Sequence, residues 1–415
     1  MKRAIAFCFL LLCAVLGFMH LDSRPVWAPF ALPAISSQDE VEAQSHLEKS
    51  GTHLARVLEP GLSWLPDTGA ASVHAASLIT LKNGAVRAFW FAGSREGAPD
   101  VVINSAVYDP KTTQWGSPTV VMDRVNAEKG LGRYIAKLGN PVPSLAADGS
   151  LQLFFVTVSI GGWAGSSISV ISSNDDGRTW GSPKRLITSP LVNLSTLVKS
   201  PAIHFADGHL GLPAYHEWIG RFGEFLRIDG DRVIDKRRMS AGRGAIQPVL
   251  FLDTPEQAMA YFRQTRARSQ IKQIPASSTS DAGQSWQIAK DVEIPNPNAA
   301  IAGLSLSNGM RLLVLNNIEA GRHRLVMAMS NSATMNDAST WQVVRVLEDD
   351  EALPNESRRE FSYPYLVTSN GEDAHLVYTW DRKKIRHMHF SGAWLKQAQD
   401  QMQKQSDEHQ TKDGQ

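Results

Sequence analysis

The feature that most constrains the fold of this chain is a short turn motif that recurs along it. The segment SNDDGRTW at Ser173–Trp180 fits the pattern Ser/Thr-x-Asp-x-Gly-x-Ser/Thr-Trp at every fixed position, and TSDAGQSW at Thr279–Trp286 repeats it. Two degenerate copies, at Tyr108–Trp115 and Asn336–Trp341, keep the final tryptophan. We expect the Asp carboxylate to accept backbone amides in a hairpin turn, the Gly to be left-handed and the Trp to cover the hairpin. The residues with these structural roles are Asp175, Gly177, Trp180, Asp281, Gly283 and Trp286.

The spacing of the motif predicts the number of repeats. Its tryptophans stand at 115, 180, 286 and 341, so the gaps between them are 65, 106 and 55 residues. These gaps are about one, two and one units of a repeat of roughly 55 residues, with one unit near residue 230 lacking the motif. Residues 54–394 then hold about six units. Short apolar segments such as LQLFFVTVS and AHLVYTW, bounded by turn residues, are typical of β-strands. The sequence therefore predicts an all-β fold, a six-bladed β-propeller.

The composition of the flanking segments sets the domain boundaries. We assign residues 53–395 to the propeller and residues 21–52, which contain Pro, Ser and Glu without clear periodicity, to a linker. Residues 396–415 are nearly devoid of apolar side chains, so we expect a disordered polar tail. No amphipathic helix of twelve or more residues is predicted after residue 52, which excludes a doubly wound α/β fold.

The N-terminus has the pattern of a targeting segment. Lys2 and Arg3 precede sixteen uncharged residues, Ala4 to Met19. This pattern is typical of a signal peptide, and it is nearly long enough for an N-terminal membrane anchor, so residues 1–20 are either one or the other. Both cysteines, Cys8 and Cys13, lie inside this segment, so no disulfide is expected in the body. We expect a cell-envelope protein, either at the periplasmic face of the inner membrane or secreted, that meets a membrane only through this segment.

Charge and motif content exclude several classes of function. The chain has 42 Lys and Arg against 41 Asp and Glu, so net charge favours neither nucleic-acid binding nor membrane-surface binding. It has no phosphate-binding loop and no dinucleotide fingerprint, and its 12 His form no HxxxH pair with a supporting carboxylate. We expect a monomer with no cofactor, no metal site and no nucleic-acid partner.

The turn motifs resemble the Asp-boxes, or BNR repeats, of sialidases and related six-bladed propellers. The segments HAASLITLKNGAVRAFWFAGSREGAPDVVI, EIPNPNAAIAG and EFSYPYLVTSNGEDAHLVYTWDRKKIRHMHF look like the neuraminidase-like branch found in bacteria and plants. The resemblance covers about residues 54–390. Asp-boxes are structural, so they indicate the fold and leave the function to the central residues.

The resemblance also implies catalytic residues. Sialidases clamp the substrate carboxylate with three arginines and use an Asp acid/base and a Tyr nucleophile paired with a Glu. His74 stands where the first arginine is expected, while Asp100 matches the acid/base and Tyr363 the nucleophile, with Glu360 three residues before it. Gln247 stands where the glutamate partner of the tyrosine is expected. The departure at His74 weakens the resemblance to a sialidase carboxylate clamp, and the departure at Gln247 puts the Tyr–Glu relay in doubt.

Further residues of the same segments are implied to bind substrate. Arg263 and Arg322 match the second and third arginines, whose guanidinium forks suit a carboxylate. Arg382 also lies in a family-like segment and is a candidate for lining the cleft, although the basic cluster Arg382–Arg386 is interpreted as a solvated final strand that closes the ring. The remaining substrate-binding candidates are Arg95, Glu96, Lys199, Asn298 and Tyr378.

Three functions remain open from the sequence. The first is sialidase-type hydrolysis of a terminal acidic sugar, sialic or uronic acid, from a glycan, with Asp100 as the acid. The second is a lyase on a uronate-containing polysaccharide, in which His74 or Tyr363 removes a proton beside the carboxylate. The third is a non-catalytic glycan-binding or envelope-assembly propeller. Convergence of His74, Asp100, Arg263 and Tyr363 on one sugar would favour an enzyme.

Overall fold

The chain folds into six antiparallel sheets arranged as the blades of a ring. The computed structural model describes residues 5–14, 25–32, 59–189, 193–240, 244–265, 272–331 and 340–413, with side chains up to residue 404. Each sheet has four or five strands, and the first strands of successive blades pack against one another around the centre. The prediction of an all-β, six-bladed propeller is confirmed.

The blades follow one another along the chain. Blade 1 contains β2 (Ser72–Thr80), β3 (Val86–Gly93), β4 (Val102–Asp109), β5 (Gln114–Trp115) and β6 (Thr119–Met122). Blade 2 contains β7 (Lys137–Leu145), β8 (Leu151–Val158), β9 (Ser166–Ser173) and β10 (Lys184–Arg185). Blade 3 contains β11 (Leu197–Val198), β12 (Ile203–His204), β13 (Leu210–His216), β14 (Phe222–Asp229) and β15 (Arg232–Arg238).

The second half of the ring repeats the same plan. Blade 4 contains β16 (Ala245–Leu252), β17 (Ala258–Gln264), β18 (Gln273–Thr279) and β19 (Gln287–Pro295). Blade 5 contains β20 (Ala302–Ser305), β21 (Arg311–Leu315), β22 (Arg324–Ser330) and β23 (Gln342–Asp349). Blade 6 contains β24 (Phe361–Val367), β25 (Ala374–Trp380) and β26 (Lys384–Phe390), and its outer strand is β1 (Gly61–Trp64).

The N-terminal strand β1 closes the ring. It pairs antiparallel with β26, so that Leu62 faces Met388, and thereby completes the blade that ends the propeller. Closure leaves no long unpaired sheet edge between the first and the last blade in the described ranges, which is how propellers limit edge-to-edge association.

The turn motifs lie between the third and fourth strands of their blades. Asp175 accepts hydrogen bonds from the backbone amides of Arg178 (3.0 Å) and Thr179 (2.8 Å) and from the Thr179 hydroxyl. Asp281 makes the matching bonds in blade 4. Gly177 and Gly283 have φ of 87° and 88°, a conformation that glycine adopts without steric cost. The degenerate motif of blade 5 lies largely outside the described residues.

Three α-helices accompany the strands in the described part of the chain: α1 at residues 5–14, α2 (Arg124–Leu131) and α3 (Gly392–Asp413). The predicted disorder of residues 396–415 is wrong for the part that the structure describes, because α3 extends to Asp413. Trp394, Leu395, Ala398 and Met402 form one buried stripe against blades 5 and 6. A few apolar residues at helical spacing are enough to dock a helix whose average composition is polar.

The linker prediction is wrong at residues 25–32. Trp27 packs against Phe205 and Phe225, and its indole N–H donates to Asp235 Oδ2 at 2.9 Å. Phe30 is buried and donates its amide to Pro255 O. This segment is therefore fixed to blades 3 and 4, while residues 33–58 lie outside the described ranges. Within those ranges, no helix combines the length and the apolarity needed to cross a bilayer.

Candidate functional site

A left-handed residue recurs on or just before the innermost strand of every blade. In four blades the pairing between first and second strands also shifts register there, near Ala75, Asn140, Gln247 and Tyr363. A bulge bends the strand and redirects a side chain, and such strained positions concentrate at functional sites. The six residues with positive φ, one from each blade, are Ala75 (51°), Asn140 (45°), Ser195 (61°), Gln247 (51°), Asn298 (61°) and Tyr363 (54°).

Polar side chains from these strands and the turns beside them meet at the centre of the ring. We call this group the central cluster, and it contains residues from all six blades. Its members are His74, Asn140, Tyr215, Gln247, Arg263, Asn298, Arg322, Glu360, Tyr363 and Arg382.

Tyr363 lies in the middle of the central cluster. Its hydroxyl accepts hydrogen bonds from Gln247 Nε2 and Arg263 Nη1, both at 3.4 Å. The same amide of Gln247 donates to the hydroxyl of Tyr215 at 3.2 Å. The described contacts of the Tyr363 hydroxyl are thus to an amide and a guanidinium, and the amide of Gln247 cannot act as a base toward this hydroxyl.

Arg263 bonds to neutral oxygens in the described part of the structure. Its Nε donates to Asn298 Oδ1 at 2.8 Å, and its Nη1 donates to Gln247 Oε1 at 3.3 Å. The amide oxygens orient the guanidinium without neutralising it. Arg263 therefore presents a fixed positive charge beside the Tyr363 hydroxyl.

Glu360 joins two further guanidinium groups. Its carboxylate accepts from Arg322 Nη1 (3.0 Å), from Arg382 Nε (3.0 Å) and from the Ser362 hydroxyl (2.6 Å). Burial by itself would raise the pKa of Glu360, but the bonds from Ser362 and Arg382 and the charge of Arg322 outweigh burial and lower this pKa to about 2. Glu360 is therefore an ionised support for two arginines rather than a base for Tyr363.

His74 packs directly against Tyr363. Its ring is 4.3 Å from the Tyr363 ring and is 1% exposed, and neither ring nitrogen has a hydrogen-bond partner in the described residues. Burial, followed by the charge of Arg382, lowers the pKa of His74 to about 3. His74 is therefore neutral and screened by Tyr363, which removes it from direct contact with a ligand in this arrangement.

The loop between β3 and β4 contacts the central cluster through Glu96 and through Ala98 and Val101, whose apolar group packs against Tyr363. Glu96 forms an ion pair with Arg382 Nη1. Asp100 instead accepts from the amide and the hydroxyl of Ser94, both at 2.9 Å, and these bonds lower its pKa. Arg95 and Asp100 are exposed, and no hydrogen bond or ion pair joins either of them to the cluster in the described part of the chain.

Of the two remaining candidates, Lys199 lies beside the central cluster and Tyr378 lies in the core between blades 5 and 6. Lys199 Nζ donates to the carbonyls of Ile301 (2.9 Å) and Pro364, and burial together with the charge of Arg263 lowers its pKa to about 7. It borders a small cavity that Tyr363 and Asn140 also line. Tyr378 is instead buried between blades 5 and 6, with its hydroxyl on Glu348 at 2.7 Å. Its predicted substrate contact is wrong, because side-chain alternation along β25 turns it into the core.

Three residues in or near the cluster were not singled out by the sequence: Asn140, Tyr215 and Glu217. Arg382, a cleft candidate whose favoured interpretation was a solvated strand, lies at a turn with φ of 52° and enters the cluster. Asn140 and Tyr215 bond to each other at 3.3 Å. An available signal was the residue before proline near the start of a first strand, shared by Asn140, Gln247 and Tyr363.

Glu217, the third, follows β13. Burial raises its pKa, and the charges of Arg263 and Arg221 oppose part of that rise. A carboxyl group that stays protonated to higher pH is chemically suited to proton donation.

The net charge of the cluster favours an anion. Three guanidinium groups, those of Arg263, Arg322 and Arg382, are opposed by the two carboxylates paired with them, Glu360 and Glu96. Arg263 differs from the other two because its described hydrogen-bond partners are neutral, and its charge acts on the nearby Glu217 and Lys199. Planar guanidinium forks bind carboxylates in two-point geometry.

Comparison with known proteins identifies related sequences and folds. The profile of the BNR repeat-like domain matches residues 84–376. A search of curated protein sequences finds no match.

Solved structures share the fold at low sequence identity. A Hadza microbial sialidase, Hz136, superposes with a TM-score of 0.61 and 14% identity over 78% of this chain and 66% of its own. The NanB sialidase of Streptococcus pneumoniae gives 0.60 and 12% over 86% and 73%. A Dyadobacter fermentans protein of unknown function gives 0.63 and 14% over 81% and 98%. At these identities the likeness concerns the fold.

Proposed function

Because this chain belongs to the BNR repeat-like domain family, we propose that its central cluster binds a terminal acidic sugar through the sugar carboxylate and that the protein cleaves the adjacent glycosidic bond. The observation that carries the proposal is Arg263, a guanidinium held by Asn298 and Gln247 with its charge left for a ligand. Arg322, on the next blade, donates to the backbone carbonyl of the same Asn298, and it shares Glu360 with Arg382.

Recognition of the carboxylate would use Arg382 in place of the arginine that His74 replaces. Arg382 exerts the largest charge effect on His74, which indicates that its guanidinium lies close to that ring. Its pairing with Glu360 and Glu96 fixes its orientation before a ligand arrives, so less conformational entropy is lost on binding.

Cleavage would require a donor that protonates the leaving oxygen, a group that stabilises the sugar cation, and a water molecule that adds to the anomeric carbon and returns its proton to the donor. Glu217 is the better donor because burial raises its pKa, whereas hydrogen bonds lower that of Asp100. Tyr363 would face the reacting carbon with its hydroxyl polarised by Arg263. In this arrangement Gln247 supports Tyr363 by hydrogen bonding and takes no proton.

A second function, glycan binding without catalysis, is favoured by one specific observation. The Tyr363 hydroxyl meets Gln247 and Arg263, so the carboxylate that would activate a tyrosine nucleophile is replaced by an amide. A binding propeller would need the arginines and would not need Glu217.

The test is a parallel assay of hydrolysis, elimination and binding on the purified full-length chain. Sialosides and uronate-terminated oligosaccharides are offered, and free sugar, the ultraviolet absorbance of an unsaturated uronate and bound ligand are followed. Release of the acidic sugar that is lost in Arg263→Ala and kept in Arg95→Ala supports the proposal. New ultraviolet absorbance would replace hydrolysis by elimination, and binding without either product would leave a binding propeller.

We further propose that residues 1–20 export the body of the protein to the cell envelope, on the strength of Lys2, Arg3 and the uncharged segment after them. A reporter that is active only outside the cytoplasm, fused to the C-terminal end of the chain, should be active with the segment and inactive when the segment is deleted. Activity that persists after the deletion would contradict export by this route.

A further inference from the structure

A second group of chemically active side chains lies in blade 6, away from the central cluster. His375 on β25 and His389 on β26 are direct cross-strand partners, and Asp373 immediately precedes β25. His387 lies two residues before His389 and contacts Tyr108 and Trp115 of blade 1. This histidine face therefore lies along the seam between the last blade and the first.

We propose that Asp373, His375 and His389 form a binding site for a divalent transition metal ion of the zinc type. Their three candidate ligand atoms lie within 4.8 Å of one another. Asp373 Oδ2 is 3.5 Å from His375 Nε2 and 3.1 Å from His389 Nε2. Two ligands bound at about 2.0–2.1 Å to a tetrahedral zinc ion stand roughly 3.3 Å apart, so both distances fit a shared ion.

The position of the rings indicates what metal binding would change. The imidazoles of His375 and His389 stack with centroids 4.2 Å apart, and both direct Nε2 toward the same carboxylate oxygen. An ion would replace the imidazole hydrogens that now lie between nitrogen and oxygen. Seating it requires the two rings to tilt, and the cross-strand pairing holds both rings on the same face of the sheet.

Two of the proposed ligands, Asp373 and His375, also make hydrogen bonds that would hold them in position around a metal ion. The Asp373 carboxylate accepts from the amide (2.7 Å) and the hydroxyl of Ser369 and from the Thr368 hydroxyl (3.1 Å). His375 Nδ1 lies 3.0 Å from His387 Nε2. Metal-binding histidines usually use their other ring nitrogen in such a bond, and ligating carboxylates are usually hydrogen-bonded.

The hydrogen bonds that join His375, His387 and Ser63 are compatible with both the metal-free and the metal-bound site. Without metal, His375 Nε2–H donates to Asp373, so His375 Nδ1 accepts from His387 Nε2–H, and His387 Nδ1 accepts from the Ser63 hydroxyl at 2.9 Å. With metal on His375 Nε2, its proton resides on Nδ1 and the chain reverses, so that His387 Nδ1–H donates to Ser63 Oγ. Each histidine keeps one proton, so the reversal needs no net proton uptake.

The site has an opening to solvent. The His389 side chain is 32% exposed, whereas that of His375 is 2% exposed. The residue paired with His389 on β1 is Gly61, which has no side chain to cover the histidine. A fourth position is therefore open to water. Two imidazoles and one carboxylate are a ligand set for zinc-like ions, whereas calcium and magnesium prefer oxygen ligands.

The experiment is a metal titration of the full-length chain after chelator treatment. Zn²⁺ is titrated calorimetrically, Co²⁺ is titrated by its visible absorption, and thermal unfolding is followed with and without Zn²⁺. We expect one ion per chain, a raised Tm and at least about tenfold weaker binding in His389→Ala. Because His389 is partly exposed, this variant should fold, and circular dichroism checks that it does.

His209→Ala is the matched control, because His209 also bonds to an aspartate, Asp207 at 2.9 Å, but lies beside Arg227. Its Zn²⁺ affinity should equal that of the unmodified protein. Should His389→Ala unfold, His389→Gln and Asp373→Asn replace it. Absence of one-to-one binding, or an affinity unchanged in folded His389 or Asp373 variants, would overturn the proposal, whatever the outcome of the glycan assays.

Discussion

The arginines of the central cluster differ in their hydrogen-bond partners: two are paired with a carboxylate, and a third bonds to neutral oxygens. Glu360 binds Arg322 and Arg382 and is itself ionised, so these two guanidinium groups are positioned and partly neutralised. Arg263 is positioned by amide oxygens, which do not neutralise it. An anionic ligand should therefore depend on Arg263 more than on either neighbour.

Replacing Arg263 by alanine should weaken acidic-sugar binding by roughly 30-fold or more, equivalent to about 2 kcal/mol, because a hydrogen-bonded charge pair is lost. Isothermal titration with the acidic sugar measures the change. Arg95→Ala, which removes an exposed arginine of the adjoining loop, should leave the affinity unchanged. Equal losses in the two variants would refute the central role of Arg263.

Glu217 should control the alkaline limb of the activity. Its pKa is raised by burial, so the protonated form persists to higher pH than in an ordinary glutamate, and activity should fall as pH rises through this pKa. Glu217→Gln should lower kcat by about 10²–10⁴. A pH–rate profile compares it with Asp100→Asn, for which we expect a smaller loss. The reverse order of losses would assign the proton donor to Asp100.

His74 should make stability depend on pH. Its folded pKa is about 3 and its ordinary value is 6.5, so the unfolded chain binds the extra proton between those values. Stability should therefore fall as pH drops from about 6.5 toward 3 and be level above that window. Urea unfolding of His74→Asn across this range should show a shallower slope. A residual slope is expected, because burial also lowers the pKa of His375 and His387.

At the scale of the single element, two turn glycines have the same left-handed backbone but different surroundings. Gly177 in the blade 2 motif has φ of 87°, and an added Cβ would lie 3.1 Å from both Arg87 and Trp180. Gly84 has φ of 80° and nothing within 4 Å of the same position. The two glycines therefore share a backbone requirement and differ in their surroundings.

Alanine at Gly177 should destabilise the fold by more than about 1 kcal/mol, since it adds a steric contact to the cost of a left-handed backbone. Alanine at Gly84 reports the backbone cost alone. Urea denaturation of both variants separates the two contributions. If the two losses are equal, the packing of Arg87 and Trp180 around the motif contributes nothing.

Helix α3 should contribute to stability through its buried stripe. Trp394 packs on Phe390 with ring centroids 4.9 Å apart, so Trp394→Ala should cost about 3–5 kcal/mol. Lys396→Ala, at an exposed position of the same helix, should change stability little. Thermal unfolding compares the pair, and similar Tm values would mean that the helix is not docked in solution.

At the scale of the whole molecule, periodicity predicted the ring because each motif marks one hairpin. It could not predict that blade 6 takes its outer strand from Gly61–Trp64, since that pairing is non-local, and this origin explains why blade 6 has no motif hairpin between its third and fourth strands. The resemblance located Arg263 and Tyr363 in the cluster. It offered Arg382 as a cleft candidate but favoured a solvated strand, and this interpretation is wrong because Arg382 lies at a turn with φ of 52°, before the strand begins at Lys384.

The pairing of β1 with β26 also constrains when the ring can close during synthesis. Ser63 and His387 are 324 residues apart, so a ribosome adding about 5–20 residues per second makes the second partner roughly a quarter of a minute to a minute after the first. Throughout that interval β1 has emerged without its final neighbour, while the intervening blades are completed. Strand β1, the first to be synthesised, can therefore pair only after the last strand, β26, has been made. Until then its unpaired backbone groups must be kept from pairing with other strands.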